Sequence, residues 1–156
     1  MKADLLMSNI KGAVMTDITG MCLCEKVKYK ISGELGPAFN CHCSKCRRWH
    51  GAAFRSRASI DISQFTITDG HRYLSSYKSS NKVSKHFCNN CGSPLHSTYE
   101  DKPRVIGIPL GPLEGVNSAP QAHIHTSSKA SWYQITDELP QYDFWPGDEA
   151  KVGETT

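Results

Sequence analysis

Between residues 27 and 32 the chain alternates: Val27, Tyr29 and Ile31 are apolar, Lys28, Lys30 and Ser32 are polar, and Gly33 and Gly36 close the run. A period of two places the three apolar side chains on one face, the pattern of a half-buried strand. Further short strands are expected at 53–60, 65–68, 73–77, 83–87, 95–99, 105–109, 122–126 and 132–135. Turn formers separate them, among them Asp69-Gly70, Pro103 and Gly111-Pro112. No stretch carries a sustained helical stripe, and the segment 44–50 predicts at most a short helical turn. The expected fold class is therefore mainly β. Residues 1–19 and 148–156 lack any such pattern and read as flexible tails, which leaves 20–147 as one domain.

Composition narrows the class. The 156 residues are enough for a single core. With 38% hydrophobic and 21% charged residues and a mean hydropathy of -0.45, the chain can fold but is too polar for a membrane span. No signal-peptide core or small-residue cleavage site appears near the start, so a cytoplasmic location is expected, with the nucleus open to a eukaryotic protein. Eighteen Lys and Arg against fifteen Asp and Glu give a net charge of +3, too small and too evenly spread to argue for a nucleic-acid partner.

The seven cysteines change the picture. An odd count without an export signal argues against a disulfide framework and for metal ligation. Each cysteine sits in a chelating cluster: Cys22 and Cys24 form a CxC, Cys41, Cys43 and Cys46 a CxCxxC, and Cys88 and Cys91 a CxxC. A tetrahedral zinc needs four donors. Pairing the CxC with the CxxC closes one four-thiolate structural site, and the triplet then keeps an open fourth position, as a catalytic zinc requires. Two zinc ions per chain are expected. Three alternatives stay open for the triplet: it shares ligands with a pair, recruits a histidine as a fourth donor, or is merely buried thiol.

The segments Gly20-Met21-Cys22-Leu23-Cys24, Cys41-His42-Cys43-Ser44-Lys45-Cys46-Arg47 and Phe87-Cys88-Asn89-Asn90-Cys91-Gly92-Ser93 resemble the glutathione-dependent formaldehyde-activating enzyme and centromere protein V family. The order and spacing of all seven cysteines match. A closing motif from His123 through Ser127, Ser128, Lys129, Ala130, Trp132 and Tyr133 to Asp137, Leu139 and Pro140 is similar too, so the resemblance spans about Gly20 to Trp145. It implies an Mss4-like fold of antiparallel sheets with zinc-binding knuckles, and zinc-dependent carbon-sulfur lyase chemistry on glutathione and formaldehyde. One departure is Glu25, where the family usually has Gly after its CxC; a residue tolerating positive φ helps that turn.

Three thiolates make a zinc ion a poor Lewis acid for water but a good partner for an incoming thiol, which it keeps deprotonated. Thiol activation is favoured over hydrolysis, with Cys41, Cys43 and Cys46 as the catalytic ligands. Glutathione carries two carboxylates, so cations are wanted nearby. Arg47 is the first candidate for substrate binding, with Arg48 and with Trp49 as a pocket wall; Lys45, Arg55 and Arg57 are either further partners or a solvated basic patch. His42 is a candidate proton carrier, although alternation points it away from the metal. His123 and His125, two apart, are expected on one strand face, Trp132 is a second candidate wall, and Ser127 and Ser128 read as a turn. Two other classes stand beside the enzyme: a zinc-stabilised structural or interaction domain of the centromere protein V type, and a zinc-buffering protein. A long basic or Pro-rich extension would favour the former, and the residues ahead of Gly20 supply none.

Overall fold

The computed structural model describes residues 17–116 and 118–148, and the mainly β expectation holds there. Strands β1 (Ile18–Met21), β2 (Lys28–Ile31), β5 (Phe65–Asp69) and β10 (Leu113–Glu114) form an antiparallel sheet in the order β10-β1-β2-β5. A second sheet holds β3 (Ala38–Cys41), β4 (Arg55–Asp61), β6 (Leu74–Ser80), β7 (Val83–Cys88), β8 (Pro94–Tyr99), β9 (Val105–Pro109) and β11 (His123–Ile124). Its order is β11-β3-β4-β9-β8-β7-β6, and every pair is antiparallel except β11 with β3. Among the described residues no helix is long and apolar enough to cross a membrane.

The alternation read at 27–32 sets the core. Val27, Tyr29 and Ile31 are buried, as are Ile18 of β1 and Leu113 of β10. They join Ala38, Ala58, Ile60, Leu95, Ile106 and Ile108 from the larger sheet in one cluster. Each large aliphatic buried there is worth about 1.5–3 kcal/mol relative to exposure, which makes this interface the main source of apolar stabilisation. The core is tight where β1 meets β2: a Cβ on Gly20 would lie 2.3 Å from Cζ of Tyr29. The tyrosine ring occupies the space a side chain would need.

Several expectations are corrected in detail. β1 begins at Ile18, inside the segment read as an N-terminal tail, because Ile18 packs into the core. Residues 1–16 and 149–156, which make up most of the expected tails, lie outside the described residues. No strand forms at 132–135: Tyr133 N–H closes a turn on the Ala130 carbonyl, and Lys129 Nζ donates to the carbonyls of Ala130 and Tyr133. The strand expected at 122–126 stops at Ile124, because His125 adopts a left-handed φ of 56°. The turn at 44–50 is a helix, α1 (Ser44–His50). It starts where Cys43 Sγ accepts the Cys46 N–H and ends where left-handed Gly51 donates to the Arg47 carbonyl.

Gly20→Ala should destabilise the protein by about 1–3 kcal/mol, the usual range for overpacking a filled core. Denaturant unfolding of the metal-loaded protein reads this directly; an unchanged midpoint would mean that Tyr29 has another place to go.

Candidate metal centres and active site

Two strand ends, one from each sheet, build the first cluster. β1 runs into Cys22, whose N–H donates to the Val27 carbonyl while Glu25 N–H donates back to the Cys22 carbonyl. β7 runs into Cys88, whose carbonyl accepts from Gly92 N–H. The two knuckles are alike: the residue after the second cysteine is left-handed in both, Glu25 at φ 61° and Gly92 at φ 78°. The departure from glycine noted at residue 25 therefore falls where a Cβ is disfavoured, and Glu25 adopts the strained conformation all the same. Ser93 Oγ accepts from Leu23 N–H at 2.9 Å and so ties one knuckle to the other.

The sulfurs of Cys22, Cys24, Cys88 and Cys91 lie within 4.8 Å of one another, with Cys22 to Cys24 at 3.5 Å and Cys24 to Cys88 at 3.8 Å. A tetrahedral ion with zinc–sulfur bonds of about 2.3 Å separates its sulfurs by about 3.8 Å, so this donor set fits zinc. Burial pushes Cys88 up to about 11. Burial also works to raise Cys91, but its hydrogen bonds with the Ser93 hydroxyl and backbone bring it down to about 6.

The second cluster is built where β3 turns into α1. Cys41 ends the strand, Cys43 caps the helix and Cys46 lies in its first turn, and their sulfurs also lie within 4.8 Å of one another. Among the described residues no histidine, carboxylate or further cysteine joins them within that distance. Cys41 and Cys46 are buried against Ile124, while Cys43 is half-buried. Hydrogen bonds from the Cys41 and Cys46 thiols pull Cys43 far below an ordinary thiol, and the same contacts push Cys41 up.

Around this triplet the candidates fall in different places. Arg47 is half-buried and spends Nε on the His42 carbonyl at 3.3 Å. Arg48 and Lys45 are exposed. Trp49 stacks on Tyr77 with ring centroids 6.4 Å apart and meets Phe87 edge-on. Arg55 and Arg57 are not a solvated patch: both are buried, Arg55 donating to Ser97 Oγ and the Gly107 carbonyl, Arg57 to Ser59 Oγ. Trp132 is exposed, and Ser127 and Ser128 lie in a 3-10 turn.

His42 points its Nε2 at His123 Nδ1, 2.8 Å away, and His123 Nε2 meets the Asp137 carboxylate at 3.1 Å. Burial and the neighbouring charges of His123, Lys129 and Arg47 push His42 down to about 4. The His–His–Asp chain was not legible beforehand, because its contacts join residues 81 and 14 positions apart. His123 and His125 do not share surroundings as a continuous strand would require. The left-handed turn sends His125 against Phe144 and Trp145 instead. A cleft of about 900 Å³ runs from Cys22 and Leu23 of the first knuckle to His50, Phe54 and Arg55, and the triplet's sulfurs do not line it.

The sequence signature of the glutathione-dependent formaldehyde-activating enzyme family matches residues 17–128, and the chain belongs to that family. A Schizosaccharomyces pombe protein named as an uncharacterized lyase is 29% identical over 129 residues, covering 82% of this chain and 92% of that protein. A Fusarium vanettenii protein, provisionally named a glutathione-dependent formaldehyde-activating enzyme, is 25% identical over 113 residues, 72% of this chain and 55% of that one. Among solved structures, a Rhodobacter sphaeroides protein superposes with a TM-score of 0.53 at 29% identity, over 64% of this chain and 90% of that one.

Glu25→Gly should stabilise the metal-loaded protein by about 0.5–1 kcal/mol, since glycine removes the left-handed penalty at some cost in chain entropy. The thermal midpoint should rise while metal content is unchanged; a fall would show that the Glu25 side chain supports the knuckle in another way.

Proposed function

We propose that this chain is a zinc-dependent enzyme of the carbon-sulfur lyase type, catalysing reversible addition of a glutathione-like thiol to formaldehyde or a related small carbonyl. The observation that carries the reading is the contrast between the clusters: four converging sulfurs in one, three without a further side-chain donor in the other. Membership of the family and the names of its relatives support the same activity. On this reading Cys22, Cys24, Cys88 and Cys91 hold a structural zinc, and Cys41, Cys43 and Cys46 a catalytic one. When bound, the second ion offers its fourth position to the substrate sulfur and keeps that thiol deprotonated near neutral pH.

In the forward direction the thiol gives up its proton and its sulfur bonds to the carbonyl carbon. The carbonyl π pair moves to oxygen, which takes a proton, giving a hydroxymethyl thioether; the reverse reaction is the lyase step. The residues of the chain position the reactants. The Arg47 side chain fixes the His42 carbonyl between two ligands, which supports a role in holding the loop as well as in meeting a substrate carboxylate. Arg48 is exposed on the same helix, which suits it to a carboxylate arriving from solvent. Trp49, backed by Tyr77 and Phe87, suits an apolar wall. His42, held neutral by burial, accepts or donates a hydrogen bond with His123 but carries no charge at neutral pH.

Cys43→Ser should keep one tightly bound zinc per chain and a cooperative fold, while thiol-dependent formaldehyde consumption falls to the spontaneous background. Metal analysis, together with product formation corrected for the uncatalysed reaction, tests this. A variant that has lost the triplet's ion yet reacts at the wild-type rate would leave a zinc-stabilised structural domain as the better reading.

A further inference from the structure

Lys85 and Arg55 are each only 4% exposed, and neither meets a carboxylate. Arg55 is the strand partner of Cys41, and its guanidinium reaches Ser97 Oγ at 3.3 Å and the Gly107 carbonyl at 3.0 Å. Lys85 is the strand partner of that same Ser97. The Lys85 side chain makes no hydrogen bond or ion pair among the described residues. Arg55 Nε and the nearby His50 Nε2 are buried without hydrogen-bond partners.

A charge removed from water without a counter-ion is costly, so two such cations side by side call for negative charge. Most of the negative charge that acts on them is the triplet's: Cys46 and Cys41, with Tyr99 between them in strength, act on Arg55 against the opposing charge of Arg57, and Cys46, Cys43 and Cys41 act on Lys85. Burial, then Arg55 and Lys85 themselves, push His50 down to about 3, so the histidine adds no third positive charge at neutral pH.

Three thiolates around a divalent ion carry one net negative charge. With Arg57 also buried beside Arg55, a neutral fourth ligand leaves that centre well short of the buried positive charge, and an anionic fourth ligand, making two negative charges, brings it closer to balance. The geometry points to Lys85 and Arg55 as specificity-determining residues that select an anionic soft ligand, a thiolate rather than a neutral thiol or water, at the triplet's fourth position. This rests on the triplet being an open metal site, as proposed above. The cations act on the bound sulfur and not on a substrate carboxylate, because both lie beneath the surface whereas Lys45 and Arg48 beside the triplet are exposed.

The test uses the full chain loaded with cobalt at both sites, with absorption bands read during titration by mercaptoethanol, glutathione or thiocyanate. Mercaptoethanol has a thiol and no carboxylate, and thiocyanate is an anion without a thiol. Lys85→Met should raise the half-saturating concentration of all three at least tenfold and by a common factor, with two cobalt ions still bound per chain. Lys85→Arg should restore affinity to within about threefold, which a merely structural role would not require. Arg55→Gln and Arg55→Lys give an independent pair with the same expected contrast.

Unchanged mercaptoethanol binding in both Lys85→Met and Arg55→Gln would overturn the inference. So would a loss confined to glutathione, which would make the cations carboxylate ligands. If the wild-type bands ignore both thiols yet shift with thiocyanate in a manner dependent on Lys85, the anion selectivity stands and the thiol-activating reading falls. Bands that respond to none of the three probes would remove both.

Discussion

The convergence of Cys22, Cys24, Cys88 and Cys91 is the constraint on which the rest of the architecture leans. Two of these sulfurs follow a strand of the smaller sheet and two follow a strand of the larger, so an ion held here crosslinks the layers at the edge of their shared core. Cys22 and Cys88 are themselves part of that core, which spares it from depending on aliphatic packing alone. Small β domains have limited apolar area to bury, and a metal crosslink contributes folding free energy directly. The price is visible at Glu25, held left-handed so that the first knuckle can mirror the second.

With the layers fixed in this way, the second cluster can be built differently. Its three cysteines come from one stretch of chain, but their surroundings come from far along it. Ile124 packs on Cys41 and Cys46, and the parallel pairing of β11 with β3 sets that contact in register. The first cluster is closed by its own four sulfurs. The triplet has fewer donors and lies beside buried cations and a buried histidine chain. On the proposed assignment, that difference in environment separates a structural centre from a reactive one more sharply than the ligand count does, since the charge around a metal governs what its open position accepts.

Much of this was legible in the residues. Period two at 27–32 identified a core strand because one face of β2 is covered and the other faces solvent. Cysteine spacing separated the clusters because chelation by adjacent residues is a local property. The weak points have physical causes. β3 was missed because only one of its three buried positions, Ala38, is aliphatic: Asn40 is buried on a hydrogen bond from Ser56, and Cys41 belongs to the triplet. β10, two residues long, has no period to read. The strand expected at 132–135 gives way to a turn, in which Tyr133 N–H bonds back to the Ala130 carbonyl and Lys129 takes the Tyr133 carbonyl. The buried state of Arg55, Arg57 and Lys85 contradicts the usual prior for charged residues, and only tertiary contacts reveal it.

The C-terminal segment shows why the triplet cannot be understood from its own stretch of chain. Asn40 and His42 donate their N–H groups to the carbonyls of Ala122 and Ile124, and His123 in turn exchanges backbone hydrogen bonds with Pro140 and Tyr142. The edge of β3 is thereby covered by two successive layers of backbone. The side chains repeat the arrangement, His42 to His123 to Asp137, so the loop carrying the ligands is held from both its backbone and its one buried imidazole. Parallel pairing over two residues is weak by itself. Its persistence here depends on the histidine chain and on Ile124, which means that the ordering of the closing segment and the geometry of the three sulfurs are one problem and not two.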